Sequence, residues 1–216
     1  MSDALLLRAV GLTKVLGGAR ILRGLDASFG RGAVHVIEGP NGAGKSTLLS
    51  LLGGRIRATS GRVLLQSGGE LVAEGGDLRR RVGWLGHDLG LYADLDPFGN
   101  LALHANLRGL DPERSWARVG EELGVLHLRG RKVRDMSRGQ RQRVALGRTL
   151  LGSPDVLLLD EPSTGLDVSA VERLASLLKA VAEKGTIVLT VTHDLPFAAA
   201  LDGRKWALRD GKLAEG

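Results

Sequence analysis

The sequence predicts an α/β fold with a mainly parallel core sheet, an antiparallel β subdomain and an inserted block of helices. Three observations carry that expectation. Short apolar runs alternate with helical stretches toward both ends of the chain, the pattern of strands joined by helical crossovers. Two short runs flank Ser67-Gly68-Gly69, which is a hairpin signal. Between Asp96 and Leu151 the character changes to helix.

The elements follow in order. Leu5–Leu12 and His35–Glu38 read as strands, and the second runs straight into the glycine-rich segment Gly39–Gly44. Ser46–Leu52 reads as a helix with Gly53-Gly54 as its stop. Gly61–Gln66 and Glu70–Ala73 form the expected hairpin, and Val82–Leu85 is a further short strand. Pro97 opens one helix, Pro112 a second, and Gln140–Leu151 forms a third. Val156–Asp160, a helix from Val168 to Glu183, Thr186–Thr192 and a closing pair near Lys205–Leu208 and Lys212–Leu213 complete the pattern. The expectation is one domain over residues 1–216 with a helical insertion at about 96–151.

Composition narrows the function classes. Only 3% of residues are aromatic, so Leu, Val and Ala must fill the core. Cysteine is absent, which excludes disulfides and thiolate metal sites. The longest apolar runs, such as Val156–Leu159, fall far short of the ~20 residues needed to cross a bilayer. The leucine patch Leu5–Leu7, between Asp3 and Arg8, has none of the parts of a secretion signal. A cytoplasmic chain is expected, with other subunits supplying any membrane span. The formal net charge is +6, but outside Arg79–Arg81 and the Arg129–Arg134 stretch the basic residues are scattered. That distribution reads as a solvated surface and not as a nucleic-acid groove.

Gly39-Pro40-Asn41-Gly42-Ala43-Gly44-Lys45-Ser46-Thr47 fits the phosphate-binding loop pattern without a mismatch. Its glycines let successive N–H groups turn inward toward phosphate oxygens, and the following helix aims its positive end at the same point. Lys45 would reach the β- and γ-phosphates, and Ser46 would ligate Mg²⁺. Val156–Asp160 is apolar on both faces, which suits a buried strand placing Asp160 beside that loop, where it could hold Mg²⁺. Glu161 would accept a proton from the attacking water. His193 ends the next strand and is placed to hydrogen-bond a γ-phosphate. Ser137 can cap a helix, and Gly139 permits close backbone approach to a phosphate.

With these segments in order, the chain resembles the nucleotide-binding subunits of ABC transporters over essentially its whole length. The matching segments are Gly39–Thr47, Met136–Gln140, Asp160-Glu161, Ser163-Thr164-Gly165-Leu166-Asp167 and His193. The resemblance implies a dimer, with itself or with a related subunit, that sandwiches two ATP molecules head to tail. Each ATP would lie on one copy's phosphate loop and be closed over by Ser137, Arg138, Gly139 and Gln140 of the other. It also implies a transmembrane permease partner and a peripheral position on the inner face of the cell membrane. Asp167 would belong to the family's D-loop.

Three positions depart from the family's usual pattern. Leu16 stands where an aromatic ring usually stacks on adenine, and Arg138 replaces a glycine of the signature. His87 replaces a glutamine that touches Mg²⁺ and moves with the membrane partner; it is expected in the coupling groove and not as a metal ligand. The segment Gly86-His87-Asp88-Leu89-Gly90-Leu91, with Ser137-Arg138-Gly139 preceded by Val133-Arg134, is similar to the ATP-binding subunits of cytochrome c biogenesis haem exporters. A non-transport ABC ATPase usually needs a tandem second ATPase domain or a long coiled-coil insertion, for which 216 residues leave no room.

Overall fold

The computed structural model describes residues 5–216; Asp3, which flanks the leucine patch, lies outside them. Strands β1 (Leu5–Leu16) and β2 (Ala19–Gly30) form a long hairpin, followed by β3 (Val34–Glu38) and helix α1 (Lys45–Leu52). Next come β4 (Ser60–Ser67), β5 (Glu70–Glu74), α2 (Gly75–Arg80) and β6 (Val82–Leu85). A helical stretch holds α3 (Pro97–Leu107), α4 (Pro112–Glu122) and α5 (Arg138–Thr149). The chain closes with β7 (Val156–Asp160), α6 (Val168–Glu183), β8 (Ile187–Val191), α7 (Leu195–Leu201), β9 (Arg204–Arg209) and β10 (Lys212–Glu215).

Two sheets result. One is antiparallel in the order β2-β1-β4-β5. The other runs β10-β9-β3-β8-β7-β6 and is parallel except at its edge strand β10. The period-2 alternation of strands splits the interior between the two faces of this core sheet. Val156 and Leu158 of β7, Ile37 of β3 and Leu189 of β8 pack with the antiparallel sheet and the α1 leucines. Leu157 and Leu159, Val36 and Val188 face the opposite way, against Leu146, Leu174, Leu178 and Phe197 on α5, α6 and α7. A third cluster around Leu101, Trp116, Val119, Leu128 and Val144 belongs to the helical stretch.

Helix starts are fixed by side chains accepting the orphan N–H groups of the first turn. Asp96, Asp111, Asp167 and Asp194 cap α3, α4, α6 and α7, and prolines sit in the first turn of α3, α4 and α7. Ser137 caps α5 in a reciprocal arrangement with Gln140.

The strand expected at Leu5–Leu12 continues to Leu16, and its partner β2 was not foreseen. The hairpin register slips between Ala9 and Leu12 and again up to Val15, so the buried β2 residues Leu22, Leu25 and Phe29 lose the alternation that marks a strand. Helix α2 opens with Gly75-Gly76, poor helix formers. Helix α7 is a single apolar run too short to show helical periodicity. Among the described residues no helix is long and apolar enough to cross a membrane.

Candidate functional site

The segment 39–47 joins β3 to α1, so it sits at the carboxyl ends of the core strands. Gly44 caps α1 at φ +98°, and a Cβ there would stand 2.6 Å from Cγ2 of Ile21 on β2. Only glycine meets both the left-handed backbone and the close approach. Lys45 is 7% exposed, and its Nζ donates to the Gly39 and Pro40 carbonyls at 2.7 and 2.9 Å. The lysine thus closes its own loop.

Asp160 lies on the same face of β7 as Val156 and Leu158, toward α1. It is also 7% exposed, and among the described residues its carboxylate has no hydrogen bond or ion pair. Asn41, Gly42, Gly44, Lys45, Ser46, Thr47, His87, Asp160, Glu161 and His193 line one cavity of about 430 Å³. An exposed serine hydroxyl and an unpartnered carboxylate are hard oxygen donors, which suit Mg²⁺ once phosphate and water oxygens complete the shell.

Glu161 begins a turn at φ +52°, with its N–H bonded to the Val191 carbonyl at 2.9 Å. Its Oε2 accepts from Thr192 Oγ1 at 3.3 Å and from the His193 N–H at 3.2 Å, while Oε1 is buried with no hydrogen-bond partner. His193 Nε2 stands 3.8 Å from that oxygen. The end of β8 therefore holds the carboxylate by one oxygen and leaves the other open to a new donor.

The segment 161–167 is also gripped from α5. Gln142 is buried, and its Nε2 donates to the Pro162 carbonyl at 2.9 Å and the Glu161 carbonyl at 3.4 Å. A Cβ on Gly139 would meet the Gly165 carbonyl at 2.6 Å, so the glycine's first role within the chain is close packing of helix on loop. Asp167 ends the segment by capping α6; the N–H of Ala170, then the hydroxyl of Ser169, lower its pKa from the usual carboxylate value.

The structure brings the phosphate loop, Asp160, Glu161, His87 and His193 together and leaves other expected residues outside. Ser137, Gly139 and Gln140 do not line this cavity; the Ser137 hydroxyl accepts from the Gln140 N–H at 3.2 Å. Arg138 borders an adjoining cavity of about 520 Å³, which shares His87, Asp160 and Glu161 with the first. Leu16 is exposed at the end of β1 and lines neither cavity. Sequence reasoning missed Gln142, Thr192 and Ile21. A glutamine on the buried side of α5 and a threonine beside His193 were the available signals; Ile21 went with the unread strand β2.

A glycine-lined loop feeding a helix, beside a strand-end Asp-Glu pair, defines a P-loop domain that binds nucleoside triphosphate. A sequence profile described as ABC transporter matches residues 22–164. The chain belongs to the ABC transporter family and is an ATP-binding cassette of it. It is 37% identical to the Fe(3+) ions import ATP-binding protein FbpC of Streptomyces coelicolor, covering 97% of this chain and 61% of that protein. It is 40% identical to the cobalt import ATP-binding protein CbiO of Rhodobacter capsulatus, covering 93% of this chain and 74% of that one. A third relative, the daunorubicin resistance ATP-binding protein DrrA3 of Streptomyces coeruleorubidus, is 39% identical, with 95% of this chain and 66% of that protein covered. Among solved structures, the dimer of MJ0796, a bacterial ABC transporter cassette, superposes with a TM-score of 0.84 at 26% identity over 97% of both chains. A post-hydrolysis structure of the same cassette with ADP and Pi fits equally well.

Proposed function

We propose that this chain is a single ATP-hydrolysing domain that dimerises and powers a separate transmembrane permease. The observation that carries the reading is the convergence of Lys45, Asp160, Glu161 and His193 on one cavity, with one Glu161 oxygen left without a partner. ATP binding would draw the Lys45 ammonium from the Gly39 and Pro40 carbonyls to the β- and γ-phosphates. Ser46 and Asp160 would hold Mg²⁺, which neutralises phosphate charge when bound. Glu161, fixed through Oε2, offers Oε1 to the attacking water, and His193 hydrogen-bonds the γ-phosphate.

The reading includes a dimer, because Ser137, Gly139 and Gln140 lie off their own chain's phosphate cavity and the related cassette MJ0796 is dimeric. The second copy supplies these residues to the first copy's ATP, so hydrolysis follows dimer closure. In this reading His87, which lines both cavities, would link nucleotide to the docking groove of a permease, and the chain would sit on the inner face of the cell membrane. Leu16 packs on the adenine in this reading.

For the cargo, the Gly86–Leu91 segment and the Ser137-Arg138-Gly139 signature support haem export for cytochrome c biogenesis, whereas FbpC, CbiO and DrrA3 carry names of iron import, cobalt import and drug resistance. The two levels have separate tests. Magnesium-dependent ATPase activity that is stimulated by a co-purifying membrane subunit is the expected result; a chain that binds no ATP refutes the function. Deleting the gene is expected to block covalent haem attachment to c-type cytochromes, and normal attachment refutes the cargo alone.

A further inference from the structure

We propose that Gln142 is a positioning residue for hydrolysis: from the buried side of α5 it holds the backbone that aims Glu161 into the phosphate cavity. The proposal rests on the reading of Glu161 as general base and deepens it by naming what keeps that carboxylate in place.

Glu161 has a conformation that its own preferences do not supply. Its φ of +52° lies in the left-handed region, which a residue with a Cβ occupies only when its surroundings hold it there. Those holds come from two elements. Strand β8 and the turn after it take one side: the Glu161 N–H bonds to the Val191 carbonyl at 2.9 Å, and Oε2 accepts from Thr192 and the His193 N–H. Helix α5 takes the other, and among its described side chains only Gln142 donates to this turn. Its Nε2 reaches the carbonyls of Pro162 at 2.9 Å and Glu161 at 3.4 Å.

The Pro162 bond has no substitute. Pro162 is buried, and among the described residues its carbonyl has no other hydrogen-bond donor, whereas the Glu161 carbonyl also accepts from the Thr164 N–H at 3.2 Å. Gln142 is 4% exposed, and two acceptors on one side fix which end of its amide faces the turn. Removing the amide leaves a buried carbonyl unpaired and frees the Glu161 backbone to leave its left-handed conformation. A new φ turns the carboxylate away, and misplacing a catalytic group by about 1 Å can cost on the order of 10²-fold in rate.

The same helix begins at the signature segment. Ser137 caps α5, and Gln142 lies roughly 7 Å further along the axis at the ~1.5 Å rise of a helical residue. Between them Gly139 packs on the Gly165 carbonyl, and a Cβ on Gly165 would lie 2.9 Å from Cγ of Arg138. The first turns of α5 and the 161–167 segment are therefore joined at two levels, and one does not shift without the other. In the dimer proposed above, Ser137 meets ATP held by the second copy. Closure on that nucleotide would then reach the first copy's own Glu161 through Gln142, linking the two ATP sites within each chain.

The test uses the full chain, together with its co-purifying membrane subunit if hydrolysis requires one. Gln142→Met fills nearly the same space without a donor. It is expected to lower kcat at least about tenfold while KM and the calorimetric Kd for ATP stay within about twofold, because Gln142 does not line the phosphate-loop cavity. ATP-driven dimerisation in the Glu161→Gln background, followed by size-exclusion chromatography, is expected to survive the change. Residual single-turnover hydrolysis by Glu161→Gln is expected to stay within about twofold when Gln142→Met is added, since a residue acting through Glu161 has nothing left to position. If the methionine variant fails to fold by circular dichroism, Gln142→Asn, whose amide is one methylene short of the Pro162 carbonyl, carries the same expectations. Wild-type kcat in a folded variant overturns the proposal and makes Gln142 a packing residue alone. An equal loss with and without Glu161→Gln overturns it by showing that Gln142 acts on something else, and so does a loss of ATP affinity or dimerisation as large as the loss of turnover. Near-wild-type turnover in Glu161→Gln alone removes the general-base reading itself, before Gln142 is touched.

Discussion

Lys45 and Ser137 both begin helices, yet the chain treats the two starts differently. The loop before α1 is surrounded: its lysine is buried, Ile21 presses on Gly44, and Asp160 and Glu161 line the same cavity from the end of β7. The start of α5 is exposed at Ser137, whose hydroxyl caps its own helix. What fixes that start lies behind it, where Gly139 and Gln142 bind the helix to the turn carrying Glu161. One region holds unsatisfied oxygens aimed at a ligand, and the other is internally satisfied and rigidly tied to the first. A helix start of that kind is suited to meet a nucleotide brought by another molecule.

The comparison breaks first at Glu161. Glu161→Gln should keep ATP binding and slow hydrolysis by roughly 10²-fold or more, the usual scale of base catalysis. Single-turnover assays check it, and near-wild-type turnover contradicts the role. Lys45→Ala should weaken ATP binding about 10- to 100-fold, since hydrogen bonds from a charged group contribute about 1.5–3 kcal/mol. Calorimetry measures the loss, with circular dichroism showing an intact fold.

The other side of the comparison is sharpened at Gly139. A methyl group there must displace the Gly165 carbonyl, so Gly139→Ala should cost about 1–3 kcal/mol in denaturant unfolding and also slow hydrolysis. If stability is unchanged and only ATP affinity of the closed dimer falls, the glycine serves the nucleotide directly and not the loop.

The smallest effect tests the buried sheet beneath the cavity. His35 Nδ1 accepts from Trp206 Nε1 at 3.0 Å, and its Nε2 donates to the Gly30 carbonyl at 2.9 Å, an arrangement that requires the neutral ring. Burial lowers the folded pKa below the ordinary value near 6.5. The unfolded state therefore takes up a proton first as pH falls. The histidine's contribution is fully present above about pH 6.5 and is lost as pH drops from there toward the folded pKa. The slope is at most about 1.4 kcal/mol per pH unit. Urea unfolding at several pH values, with His35→Gln as the non-titrating reference, measures it.

Legibility in the sequence followed how local each signal is. Val82–Leu85, Val156–Asp160 and Val168–Glu183 were read with their observed bounds, because a buried apolar run or an Asp cap marks them within a few residues. Strand β2 escaped because its bulged register hides the alternation, and α2 because glycines open it. The same division holds at the site. The phosphate loop, Asp160, Glu161 and His193 are carried by contiguous motifs. The grip of Gln142 on the Pro162 carbonyl and of Thr192 on Glu161 depends on which strand and helix the topology sets side by side. No local pattern encodes that neighbour.

If each copy's α5 start completes the other copy's site, a structure of the Glu161→Gln protein with ATP and Mg²⁺ will show it. The expected result is a two-fold dimer in which the Ser137 hydroxyl and the N–H of Gly139 contact the γ-phosphate of ATP held by the other copy's Lys45. Ser137 beside the nucleotide of its own chain, or a monomer that turns over ATP with its signature segment facing solvent, would contradict it.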